Sequence, residues 1–291
     1  MAKSAVASVS KPRKLRKVPP AIILCFALVF VMTVGAFVVP LFKSVDPFSQ
    51  NLLKRLAKPR FLDPSSPYLF GTDAIGRDVF ARTIYGLRTS VIIGVLGVVI
   101  GTFLGVGLGL LSGLGGGLID NIVMFFVDLQ MSIPRTLIMI VVAVLIRPTV
   151  PVMIVVLGVL TWNGYARLVR GQILSIREEE YIVCAQALGA SKFYIATRHV
   201  LKNIASPIIV LSTSNLSTII LSEATLSFLG VGLQPPAISL GLMISTGRDH
   251  LATCWWLAIL PAIALSLLVI AVSLIGDWLR DVLDPQLRRS A

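Results

Sequence analysis

Uninterrupted apolar runs constrain this chain more than any other feature. Stretches of about 20 residues, long enough to cross the hydrocarbon of a bilayer as a helix, recur along its 291 residues. Only 14% of the residues are charged, where a soluble domain carries about 25%. A membrane barrel would need segments of about ten residues with alternating polarity, and these runs do not alternate. The expectation is an all-α polytopic membrane protein, because a helix satisfies its own backbone in lipid.

The runs predict six spans: Pro20 to Phe42, Thr89 to Leu111, Ile119 to Ile146, Pro151 to Val169, Ile204 to Leu229 and Trp256 to Ile275. Six Lys/Arg and no acid precede the first span, which predicts a cytoplasmic N-terminus. An even number of spans then puts both termini inside. Residues 1–19 read as a basic cytoplasmic N-terminus and 20–42 as the first span. Residues 43–87 read as an extracytoplasmic connector, 88–276 as a five-helix core, and 277–291 as a cytoplasmic tail. The net charge of +12 lies beside the spans, where anionic lipid and orientation account for it without nucleic acid. The connector runs against this sorting, with seven Lys/Arg against four Asp.

Inside the connector, Thr72 or Asp73 is placed to cap a short amphipathic helix using Val79, Phe80, Ile84 and Leu87, which lies along the membrane surface or leads into the second span. In the second span Gly97, Gly101, Gly105 and Gly109 recur every four residues. That spacing makes a slowly rotating stripe without side chains, on which another helix can pack at backbone distance. Pro134 should kink the third span. Asp128 and Arg135 share its face if the helix stays regular. The fifth span is crowded with hydroxyls and carries Glu223. Ser214, Asn215, Thr218 and Glu223 are candidate wall residues of a translocation path, although such hydroxyls can also bond to neighbouring helices.

Catalytic chemistry is not legible. The three cysteines and two histidines are scattered, with no metal-ligand spacing, no nucleophile motif and no phosphate-binding loop. The expectation is a chain that is not an enzyme and holds no metal or cofactor. The spans also lack the repeated halves of many self-powered carriers, so energy for uphill movement should enter from elsewhere.

The inlet is residues 177–203, REEEYIVCAQALGASKFYIATRHVLKN. Glu178, Glu179 and Glu180 favour a helix N-terminus. The helix should stop near Gly189, which tolerates a left-handed turn, and Ser191 can cap a second helix reaching about Leu201. Ala185, Ala187, Leu188, Gly189 and Ala190 form a small-residue elbow suited to a groove on another protein.

These residues resemble a known family. The loop is similar to the EAA loop of binding-protein-dependent ABC importer permeases, with Gly189 at the family's glycine. GTDAIGRDVFARTIYGLRTS (71–90), SEATLSFLGVGLQPP (222–236) and GDWLRDVLDPQLR (276–288) look like the C-type inner-membrane subunit of the dipeptide/oligopeptide/nickel group. Two departures stand out: Val183-Cys184-Ala185 replaces the usual Glu-Ala-Ala, and Lys202 replaces a common proline. Glu179 or Glu180 would then supply the missing carboxylate. The resemblance implies the type I importer permease fold and a bacterial inner-membrane location. It implies three kinds of partner besides lipid: a second homologous permease subunit, two cytoplasmic ATPase subunits, and an extracytoplasmic substrate-binding protein. ATP and Mg would be bound in the ATPase subunits. Peptides are the expected cargo, with nickel, heme or another small solute as the alternative. An autonomous carrier or channel, or a scaffold that transports nothing, are the readings from other classes.

Overall fold

The computed structural model describes residues 18–42, 46–195, 198 and 200–283. Among the described residues every regular element is helical: α1 Pro20–Val38, α2 Val79–Gly115, α3 Gly117–Ser132, α4 Arg135–Leu145, α5 Val150–Val159, α6 Trp162–Ile176, α7 Glu180–Ala187, α8 Lys192–Ile195, α9 Leu201–Phe228, α10 Leu240–Arg248 and α11 Trp256–Leu283. Five segments are long and apolar enough to cross a membrane, α5 and α6 counting together as one. The pair α3 and α4 makes a sixth if taken as one bent span.

The central element is α2, which packs on α1, α3, α5, α6, α9, α10 and α11. Its glycines explain how. A Cβ built on Gly101 would lie 1.9 Å from Thr161 Oγ1, and one on Gly105 would lie 2.4 Å from Tyr165 Cβ. Gly109 meets Val169 Cβ at 2.8 Å, while Gly97 faces the softer Ile219 side chain at 3.2 Å. Lipid tails are as apolar as leucine, so helices associate in a bilayer through close packing of this kind.

Several boundaries differ from the sequence reading. The connector helix and second span are one 37-residue helix, α2, so the division at 87/88 falls inside a helix. Its cap is neither Thr72 nor Asp73. Asp78 caps it, accepting from the backbone N–H of Phe80 at 2.8 Å and of Ala81 at 3.4 Å. Thr72 is fully buried and ties the connector to itself, accepting from Ala57 N and donating to Lys54 O. The division at 276/277 likewise falls inside α11; residues 284–291 of the predicted tail and 1–17 of the predicted N-terminus lie outside the described residues.

The third predicted span is broken rather than kinked. α3 and α4 meet at 87° across Ile133 and Pro134. Asp128 and Arg135 therefore share no regular helix. Asp128 pairs with Arg167 of α6, and Arg135 Nη2 donates to Leu160 O at 3.3 Å. Leu160 also receives Gln130 Nε2 at 3.2 Å. Its carbonyl lies at the break between α5 and α6, where the ladder is interrupted and an acceptor stands free for donors from outside. The two broken spans thus meet at one carbonyl.

Candidate functional site

The 177–203 segment is built as an anchored elbow. Backbone bonds from Ile182 and Val183 to Glu179 O begin the first turn of α7. Leu188 N still reaches Cys184 O at 3.0 Å, and Gly189 then turns left-handed with φ +82°. Ser191 Oγ accepts from Tyr194 N at 3.2 Å, a short cap for α8. Residues 196, 197 and 199, on which the second helix was expected to continue, lie outside the described residues.

Burial divides this elbow sharply. Ile182, Ile195 and Val200 are buried together with Val169 and Ile173 of α6 and Ile204 of α9. Asn203 Nδ2 donates to Tyr181 Oη at 3.1 Å, closing the base of the loop. The tip faces the other way. Leu188 is 89% exposed, Ala187 and Gly189 are exposed, and no atom comes within 4 Å of a Cβ built on Gly189. Glu179, Glu180 and Ser191 are exposed as well, while Ala190 is half-buried against the anchor. An apolar tip on a fixed base is a surface that another body can hold and push.

Ion pairs brace the helices that carry the elbow. Asp120 of α3 accepts from Arg170 of α6 through both oxygens, at 2.5 and 2.7 Å. Ser112 of α2 donates to the same carboxylate at 2.5 Å. A fork-on-carboxylate pair fixes orientation as well as distance, and with Ser112 it ties α2, α3 and α6 together.

The four residues proposed for the path do not share one face. Ser214 and Thr218 lie on an exposed side of α9, and Asn215 is half-buried. The hydroxyls there bond back along the helix, Thr218 to Ser214 O at 2.9 Å and Ser214 to Val210 O at 3.3 Å. Other hydroxyls accept across helices: Ser217 from Ser273 at 3.1 Å and Ser212 from Tyr165 at 3.1 Å. Bonding to neighbouring helices, one of the two options left open by the sequence, therefore occurs. Glu223 is fully buried, accepting from Ser227 at 2.8 Å and Ser90 at 3.3 Å. It faces a helix junction and not the open side. Ser227, one turn away, was findable from spacing. Ser90, 133 residues distant, carried no local signal.

Residues 105–289, from the central glycines of α2 through the elbow to the end of the chain, match the family described as the binding-protein-dependent transport system inner membrane component. The chain belongs to that family. It is accordingly a multi-pass inner-membrane transport component. It is 37% identical to the dipeptide transport system permease protein DppC of Bacillus subtilis, over 95% of this chain and 85% of that one. Identity is 36% to the DppC protein of Haemophilus influenzae, over 90% of each chain. It is 35% to the oligopeptide transport system permease protein OppC of Bacillus subtilis, over 92% of this chain and 85% of that one. Among solved structures, the inward-facing MetNI methionine ABC transporter superposes with a TM-score of 0.57 at 20% identity, covering 70% of this chain and 97% of its own. The fold is that of a type I ABC importer permease.

Proposed function

We propose that this permease forms half of the translocation path of an ATP-driven importer for short peptides. The carrying observation is the elbow, with exposed Leu188 and Gly189 on a base of buried isoleucines. Its peptide-permease relatives support the cargo class.

In this reading the termini and the elbow face the cytoplasm, and the connector and α10 face outward. The chain performs no hydrolysis. Two ATPase subunits bind ATP and Mg and receive the elbows of this chain and of a second, homologous permease subunit. An extracytoplasmic binding protein delivers the peptide. Closure of the ATPase pair moves α7. The Ile182 and Ile195 anchor carries that motion to α6 and α9, whose hydroxyl-bearing face borders the path. A packed interface passes such a displacement on because it has few intermediate arrangements.

Gly189→Arg tests this. In the reconstituted complex it should preserve assembly and ATPase activity while reducing peptide uptake by about tenfold or more. Wild-type uptake would remove the elbow from the mechanism.

A further inference from the structure

A second charged site lies at the opposite end of the chain's bundle from the elbow. Where the connector meets α2 and α10, a cavity of about 70 Å³ is lined by Asp73, Arg77, Arg82, Thr246 and His250, with Met243 and Leu257 forming apolar wall. One water needs roughly 10–15 Å³ on the same measure. The cavity therefore has room for several waters, or for a small anionic group with part of its shell.

The charges do not cancel. Asp73 Oδ2 holds Arg77 Nε at 2.6 Å, and its Oδ1 accepts from Ile75 N and Arg77 N. That carboxylate lies 3.8 Å from Arg82 Nε, beyond hydrogen-bond length. Arg82 is the more deeply placed cation, with its side chain 9% exposed. Its one short protein contact among the described residues is Nη1 to Pro47 O, at 3.3 Å. Two guanidiniums thus share one carboxylate, and a nearly buried Arg retains donor capacity. Burying a charge with an incomplete partner set is costly, and an anion in the cavity would complete it. His250 adds a hydrogen-bonding group on the facing wall, while the Thr246 hydroxyl there already donates to Leu242 O and Met243 O at 3.1 Å.

We propose that this cavity binds the carboxylate of a small solute, with Arg82 as principal cation and Arg77 as second cation. Two converging guanidiniums suit a planar carboxylate, since each offers a fork of N–H donors. Apolar Met243 and Leu257 leave room for a short carbon substituent beside the charge. The site stands apart from the importer reading because it requires only binding to this chain.

The test is acetate titration of the full-length chain in nanodiscs of zwitterionic lipid. Carbon-13 at histidine Cε1 is the reporter, and the His199→Gln variant assigns the His250 signal. At constant pH and ionic strength, acetate should move the His250 signal saturably. Acetamide and chloride should not. Arg82→Gln and Arg77→Gln should each weaken acetate by about tenfold, as expected for losing one charge-assisted hydrogen bond. Arg82→Lys should retain part of the affinity. Arg77 is a quarter exposed, so its variant tests the site even if Arg82→Gln fails to fold. An unsaturable shift, an equal response to acetamide or chloride, or wild-type affinity in Arg77→Gln would overturn the proposal.

Discussion

Glu223 of α9 accepts a hydrogen bond from Ser90 of α2 at 3.3 Å, deep in the bundle and 133 residues away in the chain. Ser227 donates to its other oxygen at 2.8 Å, and Ser227 Oγ in turn accepts from Leu233 N at 3.1 Å. One carboxyl thereby ties α2, α9 and the loop before α10 into a single unit.

Glu223→Ala should leave two buried hydroxyls without their acceptor, at about 1–3 kcal/mol for each unsatisfied group. Glu223→Gln keeps an acceptor and should cost less than half as much. Thermal melting of the permease in micelles measures both. Equal melting points for the Ala and Gln variants would contradict this, because the acceptor that Gln retains would then contribute nothing.

The glycine seam predicts a position-dependent pattern. Gly101→Ala and Gly105→Ala drive a methyl into Thr161 or Tyr165, where a Cβ would stand 1.9 or 2.4 Å away, and each should cost about 1–3 kcal/mol. Gly107 lies on the same helix with nothing within 4 Å. Gly107→Ala should be neutral or stabilise by about 0.5–1 kcal/mol. Melting curves of the three variants check the order, which helix propensity alone would not produce.

Asp78 links the helix cap to pH. Burial raises its pKa above the usual carboxylate value, opposed by the Phe80 and Ala81 N–H groups. The folded chain then binds this proton more tightly than the unfolded chain. Its contribution to stability therefore falls as pH rises through the window just above 3.8, and is constant at neutral pH. Asp78→Asn should remove that slope while keeping most of the cap. Chemical denaturation of both proteins between about pH 3.5 and 6 measures it.

The double clamp on Leu160 O makes a coupled prediction. Gln130→Ala and Arg135→Ala remove different donors from the same carbonyl. Their effects should be non-additive by about 0.5 kcal/mol or more. A double-mutant cycle of melting free energies decides this. Strict additivity would mean that the two donors do not share an energetic role.

Most of the spans were legible because length and apolarity are read directly from the chain. Two kinds of feature were not. The continuity of α2 is not decided by the sequence, because Arg88 and Thr89 are polar residues at the edge of the apolar run. In the fold, Arg88 stacks over Phe37 of α1 at 5.4 Å and Thr89 bonds back to Tyr85 O, so the helix continues. The break at Leu160 was invisible because the donors that stabilise it come from another span. Pro134 announced its break through its missing N–H, but not the 87° angle. At the elbow, Gly189 and Ser191 were readable from local conformational preference. The anchor of Ile182 on α6 and α9 was not, because it depends on helices meeting in space.

Sidedness of the elbow tests the account most directly. Leu188→Cys, with the three native cysteines replaced, presents a thiol at the most exposed point of α7 and its turn. A membrane-impermeant maleimide should label it in inside-out vesicles and fail to do so in right-side-out vesicles. Bound ATPase subunits should slow the reaction. Labelling from the external face would contradict the account, because no cytoplasmic ATPase could then reach the elbow.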